Sequence, residues 1–100
     1  MLEEKLATLR ESYRRTLPGH LDALRAKLAA ARQGRSEAAW AEVVRLAHRL
    51  KGTAGSYGFD AVAAELEALE GILERAAREE TPADGEAIDL ALARARASLG

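Results

Sequence analysis

Apolar residues recur along the chain at spacings of three and four, the pattern of amphipathic helices. Leu2, Leu6, Leu9 and Tyr13 share one helix face. Pro18 and Gly19 interrupt that stretch. Proline disfavours a helical residue before it, which predicts a break or kink near Leu17. A second stretch, over about 19–33, turns Leu21, Leu24, Leu28 and Ala31 inward, with Gly34 as its stop and Ser36 as the next N-cap. The third, over about 37–57, buries Trp40, Val43, Val44, Ala47, Leu50 and Ala54, and Gly58 ends it. The fourth, over about 60–79, carries Val62, Leu66, Leu69, Leu73 and Ala76 at heptad-like spacing. A connection over 81–85 follows, with Thr81 or Asp84 as cap, and the last stretch buries Ile88, Ala91, Leu92, Ala95 and Leu99.

Short connections between long amphipathic helices make sequential neighbours antiparallel. The expected fold is therefore all-α: an antiparallel up-down four-helix bundle over about 19–99. An additional short N-terminal helix, over about 2–16, packs on the bundle or across one end. The whole chain, 1–100, reads as one domain. Composition agrees: Ala (23) and Leu (15) dominate, whereas Val, Ile and Thr together number nine, too few for a sheet. The formal net charge of -1 gives no bulk attraction to nucleic acid or to an anionic membrane surface. Without cysteine there is no disulfide framework, thiolate chemistry or Cys-based metal site. Apolar runs stop at about four residues where a membrane span needs about 20, and the N-terminus lacks a signal-peptide pattern, so the cytoplasm is the expected compartment.

The anomaly lies in Leu46-Ala47-His48-Arg49-Leu50-Lys51-Gly52-Thr53-Ala54-Gly55-Ser56-Tyr57-Gly58-Phe59, which puts Gly52 and Gly55 inside a helical pattern. Each glycine costs about 1 kcal/mol against alanine in a helix interior. Elsewhere the chain uses alanine for a small helical residue, so this stretch calls either for less than a methyl group or for a looser backbone. At roughly 100° per residue, His48 falls about 110° from the centre of the apolar face, on the flank. Val44 and Arg45 lie one turn before it, Lys51 and Gly52 one turn after, and Gly55 beyond. An exposed imidazole nitrogen is a nucleophile toward phosphorus, and a nearby ammonium can neutralise phosphoryl oxygens. Small residues on the same flank let another protein bring its own active site onto the imidazole.

Ala47-His48-Arg49-Leu50-Lys51-Gly52, with Ala54-Gly55-Ser56 and Gly58-Phe59 after it, resembles the signature of histidine-containing phosphotransfer (HPt) domains of multistep phosphorelays. The resemblance is detailed over about 46–70. It implies a four-helix bundle whose exposed His takes a phosphoryl group from an aspartyl phosphate on a receiver domain and passes it to another receiver. By position, His48 is then the phosphorylated residue, Lys51 orients the phosphoryl group and Gly52 permits docking. Gly55, Val44 and Arg45 complete the implied receiver-docking surface. The following helix offers Glu70 and Glu74 on the facing flank, where neither Gln nor Arg occurs, and no phosphoryl-site role is assigned there. The implied partners are response-regulator receivers and a hybrid histidine kinase. The domain is expected to be a monomeric carrier, not an enzyme, with no cofactor or metal of its own, the receiver carrying the divalent metal.

Two other readings compete. The His-bearing domain of a chemotaxis-type histidine kinase shares much of the motif. A helical interaction module without phosphorylation would use the glycines only for packing, leaving the grouping of His48, Lys51 and Gly52 a coincidence. On spacing alone, a single His on a helix flank is a solvated side chain. His20, with no Lys-Gly neighbour, reads as structural or solvated, and the two His lack a metal-ligand constellation. The Gly-rich stretch lacks the order of a phosphate-binding loop and has no strand before it. Charge is uneven. Arg45, Arg49 and Lys51 outnumber Glu37 and Glu42 over 36–55, whereas seven acids face Arg75 and Arg78 over 60–80. A basic surround of His48 would steer toward the acidic rim of a receiver.

Overall fold

The structure is a computed structural model that describes residues 2–34, 37–78 and 85–99. Among these residues it contains four helices and no strand: α1 (Leu2–Gly34), α2 (Glu37–Ser56), α3 (Asp60–Ala77) and α4 (Gly85–Ala97). α2 packs on both α1 and α3, α3 also packs on α4, and α1 closes the bundle against α4 more sparsely. The core is a column of leucines and small residues. It is built from Leu17, Leu21, Leu24 and Leu28 of α1, Val43, Ala47, Leu50 and Ala54 of α2, Val62, Leu66, Leu69 and Leu73 of α3, and Ile88, Ala91, Leu92 and Ala95 of α4. Trp40, Val44 and Leu99 are half-buried at its rim. The proposed caps at Ser36 and at Thr81 or Asp84 lie outside the described residues.

The N-terminal stretch is not a separate helix. α1 runs without a break through Pro18, contrary to the interruption predicted near Leu17. Proline in a helix interior removes one hydrogen bond and costs about 3 kcal/mol. Here Leu17 and Leu21, on either side, are buried in the core and hold the backbone in register. The Thr16 hydroxyl donates to the Tyr13 carbonyl (2.9 Å), within the turn that precedes the proline. Of the first apolar face only Tyr13 packs on the bundle. Leu2, Leu6 and Leu9 are exposed, because α1 has 33 residues against 20 in α2 and overruns the other helices.

The base of that overrun is clamped to the α2–α3 connection. Arg10 Nε donates to the Tyr57 carbonyl (2.9 Å), and its guanidinium lies 4.4 Å from the centre of the Phe59 ring. Tyr13 stacks on Tyr57 at 4.8 Å. Arg14 also donates to the Leu99 carbonyl (2.7 Å), tying α1 to the chain just beyond α4.

The connection itself is short and strictly specified. Gly58 has φ +83°. Its N–H donates to the Gly55 carbonyl (3.0 Å), and the Phe59 N–H donates to the Ala54 carbonyl (2.8 Å). These paired bonds form a Schellman ending, with Phe59 and Ala54 buried as its apolar contact. Phe59 is at once the end of this motif and the residue that starts α3. A side chain at Gly58 forces the left-handed conformation on an L-residue, which costs roughly 1–2 kcal/mol. Gly58→Ala is therefore expected to lower the stability measured by denaturant unfolding by about that amount.

Candidate functional site

His48 stands on the flank of α2 that faces α3, with 67% of its side chain exposed. It is presented, yet it is anchored. Its Nδ1 lies 2.7 Å from Oε1 of Glu70, which reaches across from α3. The other oxygen of the same carboxylate, Oε2, lies 2.8 Å from Lys51 Nζ. Lys51 meets it as a charge, since Oε2 has no partner with hydrogen-bond geometry. One carboxylate thus bridges an imidazole and an ammonium three residues apart on the facing helix.

Glu70 is the one buried charged side chain among the described residues. Burial pushes its carboxyl up. The contact with Lys51 and the hydrogen bond from His48 pull it further down, and it stays below the ordinary glutamate range. Lys51 shifts the opposite way. Its contact with Glu70, reinforced by the charges of Glu67 and Glu74 on the same α3 flank, holds its ammonium above the ordinary lysine value. An ionised carboxylate only accepts hydrogen bonds, so the Nδ1 of His48 carries the proton. The neutral imidazole is then fixed as the tautomer whose Nε2 lone pair points away from α3, into solvent.

The structure brings His48 and Lys51 together through Glu70, which sequence reasoning placed on the facing flank but gave no role. The detectable signal was the run Glu67, Glu70, Glu74 at helical spacing. What the chain alone does not state is which of the three arrives opposite His48. The other candidate residues fall on the same side of α2. Val44 is half-buried and Arg45 exposed. With Leu46, Arg49 and Glu70 they line one open depression beside His48. Gly52 and Gly55 are exposed and lie outside that depression. A Cβ placed on Gly52 would meet nothing within 4 Å, and one on Gly55 would meet only Ala63 Cβ, at 3.9 Å. Neither glycine is required for helix packing, so the packing explanation of the interaction-module reading has no support at Gly52. His20 is exposed and lies 6.0 Å from the Tyr13 ring, away from these groups.

The arrangement offers an accessible imidazole nitrogen of defined tautomer, an adjacent ammonium and a flank without side-chain bulk. The family model for the Hpt domain matches residues 8–98. The chain belongs to the Hpt domain family. The match takes in all of the described bundle except the first turns of α1 and the last residue described. Hpt domains carry phosphoryl groups in phosphorelays and interact there with receiver domains. No curated protein and no solved structure shows a significant match to the chain. In this Hpt domain no helix among the described residues is long and apolar enough to cross a membrane.

Two measurements follow from this geometry. Glu70 is depressed in the folded state, so its stabilising contribution is fully present above the ordinary glutamate range and is lost as pH falls through and below it. Melting temperature recorded from about pH 6 down to about pH 3 should fall less steeply in Glu70→Gln than in the wild-type Hpt domain. Gly52→Ala, with open space around the new methyl group, should raise stability by up to about 1 kcal/mol. A lower melting temperature for Gly52→Ala would mean that the flank is packed.

Proposed function

We propose that His48 accepts a phosphoryl group from the aspartyl phosphate of one receiver domain and passes it to the aspartate of another. The observation that carries this reading is the 2.7 Å contact between His48 Nδ1 and Glu70 on a side chain otherwise open to solvent. A hydrogen-bonded Nδ1–H makes Nε2 the basic nitrogen and aims it outward. In the first transfer the Nε2 lone pair forms the N–P bond while the P–O bond to the aspartyl carboxylate breaks, and the electron pair leaves on that carboxylate. The ring now bears Nδ1–H and Nε2–phosphoryl and carries positive charge, which the Glu70 carboxylate offsets. In the second transfer an incoming aspartate attacks phosphorus and His48 departs as neutral imidazole. No proton enters or leaves in either direction, which suits a carrier.

Lys51 supplies a positive charge beside the site, within reach of Glu70 and of phosphoryl oxygens on His48. The receivers supply the divalent metal and most of the charge neutralisation in the transition state. Gly52 and Gly55 keep the approach clear, and Arg45 and Val44 border the docking surface. In this reading the protein works as a substrate of its partners, without a nucleotide site or cofactor of its own.

Incubation with a phosphorylated receiver should add one phosphoryl mass to the protein, on an acid-labile, alkali-stable phosphoramidate. His48→Gln should abolish labelling with helical content unchanged, and labelling that persists in this variant overturns the assignment. Lys51→Ala should slow transfer on the order of tenfold, about 1.4 kcal/mol. An unchanged rate would make Lys51 an ordinary solvated residue. Glu70→Ala should slow transfer by about tenfold to a hundredfold, by analogy with the loss of the carboxylate that orients a metal-ligating imidazole. Glu70→Gln, which can still accept from Nδ1–H, should recover part of the loss. Gly52→Gln should keep the melting temperature near that of the wild type and suppress transfer. Full transfer in that variant would remove the steric role of the glycine.

A further inference from the structure

The exposed large apolar side chains among the described residues are Leu2 (72%), Leu6 (53%), Leu9 (50%) and Leu90 (49%). Three of these four form a single stripe on the overrunning end of α1. At 1.5 Å per residue α1 is about 50 Å long. The whole molecule measures 49 × 21 × 18 Å, so α1 spans its entire long axis. The bundle ends where Arg10 and Tyr13 meet the α2–α3 connection. Residues 2–9 extend beyond it as a helical arm.

The stripe has the spacing of a coiled-coil seam. Leu2, Leu6, Leu9 and Tyr13 are separated by four, three and four residues. With Leu6 and Tyr13 as first positions of the heptad, Leu2 and Leu9 are fourth positions. Glu3 and Arg10 then flank the seam on one side, and Lys5 and Ser12 flank it on the other. These charges decide the orientation of a partner helix of the same sequence. A parallel pair sets Lys5 against Arg10 of the second copy, twice, and is repelled. An antiparallel pair sets Glu3 against Arg10 of the second copy, twice, and is attracted. Arg10 is already held in place, because its Nε is bonded to the Tyr57 carbonyl and its guanidinium rests on Phe59. Its remaining N–H groups are free to meet a carboxylate.

We propose that two copies of this protein pair through their α1 arms as a short antiparallel coiled coil, with Leu2, Leu6 and Leu9 as the seam. The arms are barely two turns long, so the contact falls in the small, transient class of interfaces and is reversible. This departs from the monomer expected from the sequence. The flank bearing His48 faces α3 and is not part of the seam, so pairing leaves it open. The proposal stands independently of the phosphotransfer reading.

Sedimentation equilibrium between about 10 µM and about 1 mM should show the average mass rising from that of one chain toward that of two, as an interface of this class predicts. The triple variant Leu2→Gln, Leu6→Gln, Leu9→Gln should stay at the mass of one chain throughout, with its melting temperature retained. Glu3→Lys should weaken association several-fold. The chain has no native cysteine, so orientation can be read by cross-linking. A mixture of Leu6→Cys and Leu9→Cys chains should oxidise mainly to the mixed disulfide. A predominance of Leu6–Leu6 pairs would overturn the antiparallel arrangement. A wild-type chain that remains single at about 1 mM would overturn self-pairing and leave the arm to a different apolar partner. A triple variant that associates like the wild type would place the contact elsewhere and overturn the proposal.

Discussion

A carboxylate is kept beneath a helix–helix contact only when cations or donors meet it, because burial without partners costs several kcal/mol. Glu70 is held in that position, and its two oxygens meet His48 Nδ1 and Lys51 Nζ. The requirement works in both directions. Leu66, Leu69 and Leu73 drive α3 into the core, which carries Glu70 to the edge of the α2–α3 contact. Once there, the carboxylate is satisfied only if α2 presents a donor and a cation three residues apart. The register of two helices and the tautomer of one imidazole are thus set by the same contact. Removing His48 or Lys51 leaves a poorly compensated charge, whereas removing Glu70 leaves an exposed imidazole and a half-buried ammonium that water can still reach. Losing the carboxylate is therefore milder for the fold than for the chemistry.

The α2–α3 connection transmits this register. Gly58 and Phe59 turn the chain within a single Schellman ending, so little slack separates the end of one helix from the start of the next. Phe59 is pinned from outside by Arg10 and from inside by Ala54, which ties the turn to α1. Ala63 packs beneath Gly55, and from there Glu67, Glu70 and Glu74 follow along α3 at one-turn intervals. The position of Glu70 opposite His48 is in this sense set by the tight turn. A looser connection would let α3 slide by a residue and rotate a different side chain toward the imidazole.

Most of this was legible in the chain, and the exceptions share a cause. Helix limits followed from spacing and from glycine: Gly34 and Gly58 stand at the ends that the pattern indicated. The leucines of α3 and the core of α2 followed from periodicity in the same way. Pro18 misled because proline propensity is local, whereas Leu17 and Leu21 hold the backbone through contacts distant in sequence. Leu2, Leu6 and Leu9 misled because periodicity reports an apolar face without saying what covers it. Glu70 was placed on the facing flank but given no role because neither Gln nor Arg occurs there, and which glutamate of that flank meets His48 depends on the length of the connection. In each case local pattern gave the face of a helix, and only assembly gave its neighbour.

The exposure of His48 also limits what the domain can do alone. In open solvent the attraction between Glu70 and a charged imidazole, or between Lys51 and a phosphoryl group, is weakened by water and salt. In the proposed reading, a partner that closes over the glycine flank excludes that water and lowers the local dielectric, strengthening the same contacts without moving them. The bulk removed at Gly52 and Gly55 and the charge placed at Glu70 and Lys51 therefore belong to one design. On that proposal the first lets a partner come close enough to dry the site, and the second is oriented in advance to act once it is dry. In the same reading, an imidazole with a fixed tautomer and an open approach can take a group from one partner and give it up to the next. Those are the two properties that a phosphoryl carrier has to combine.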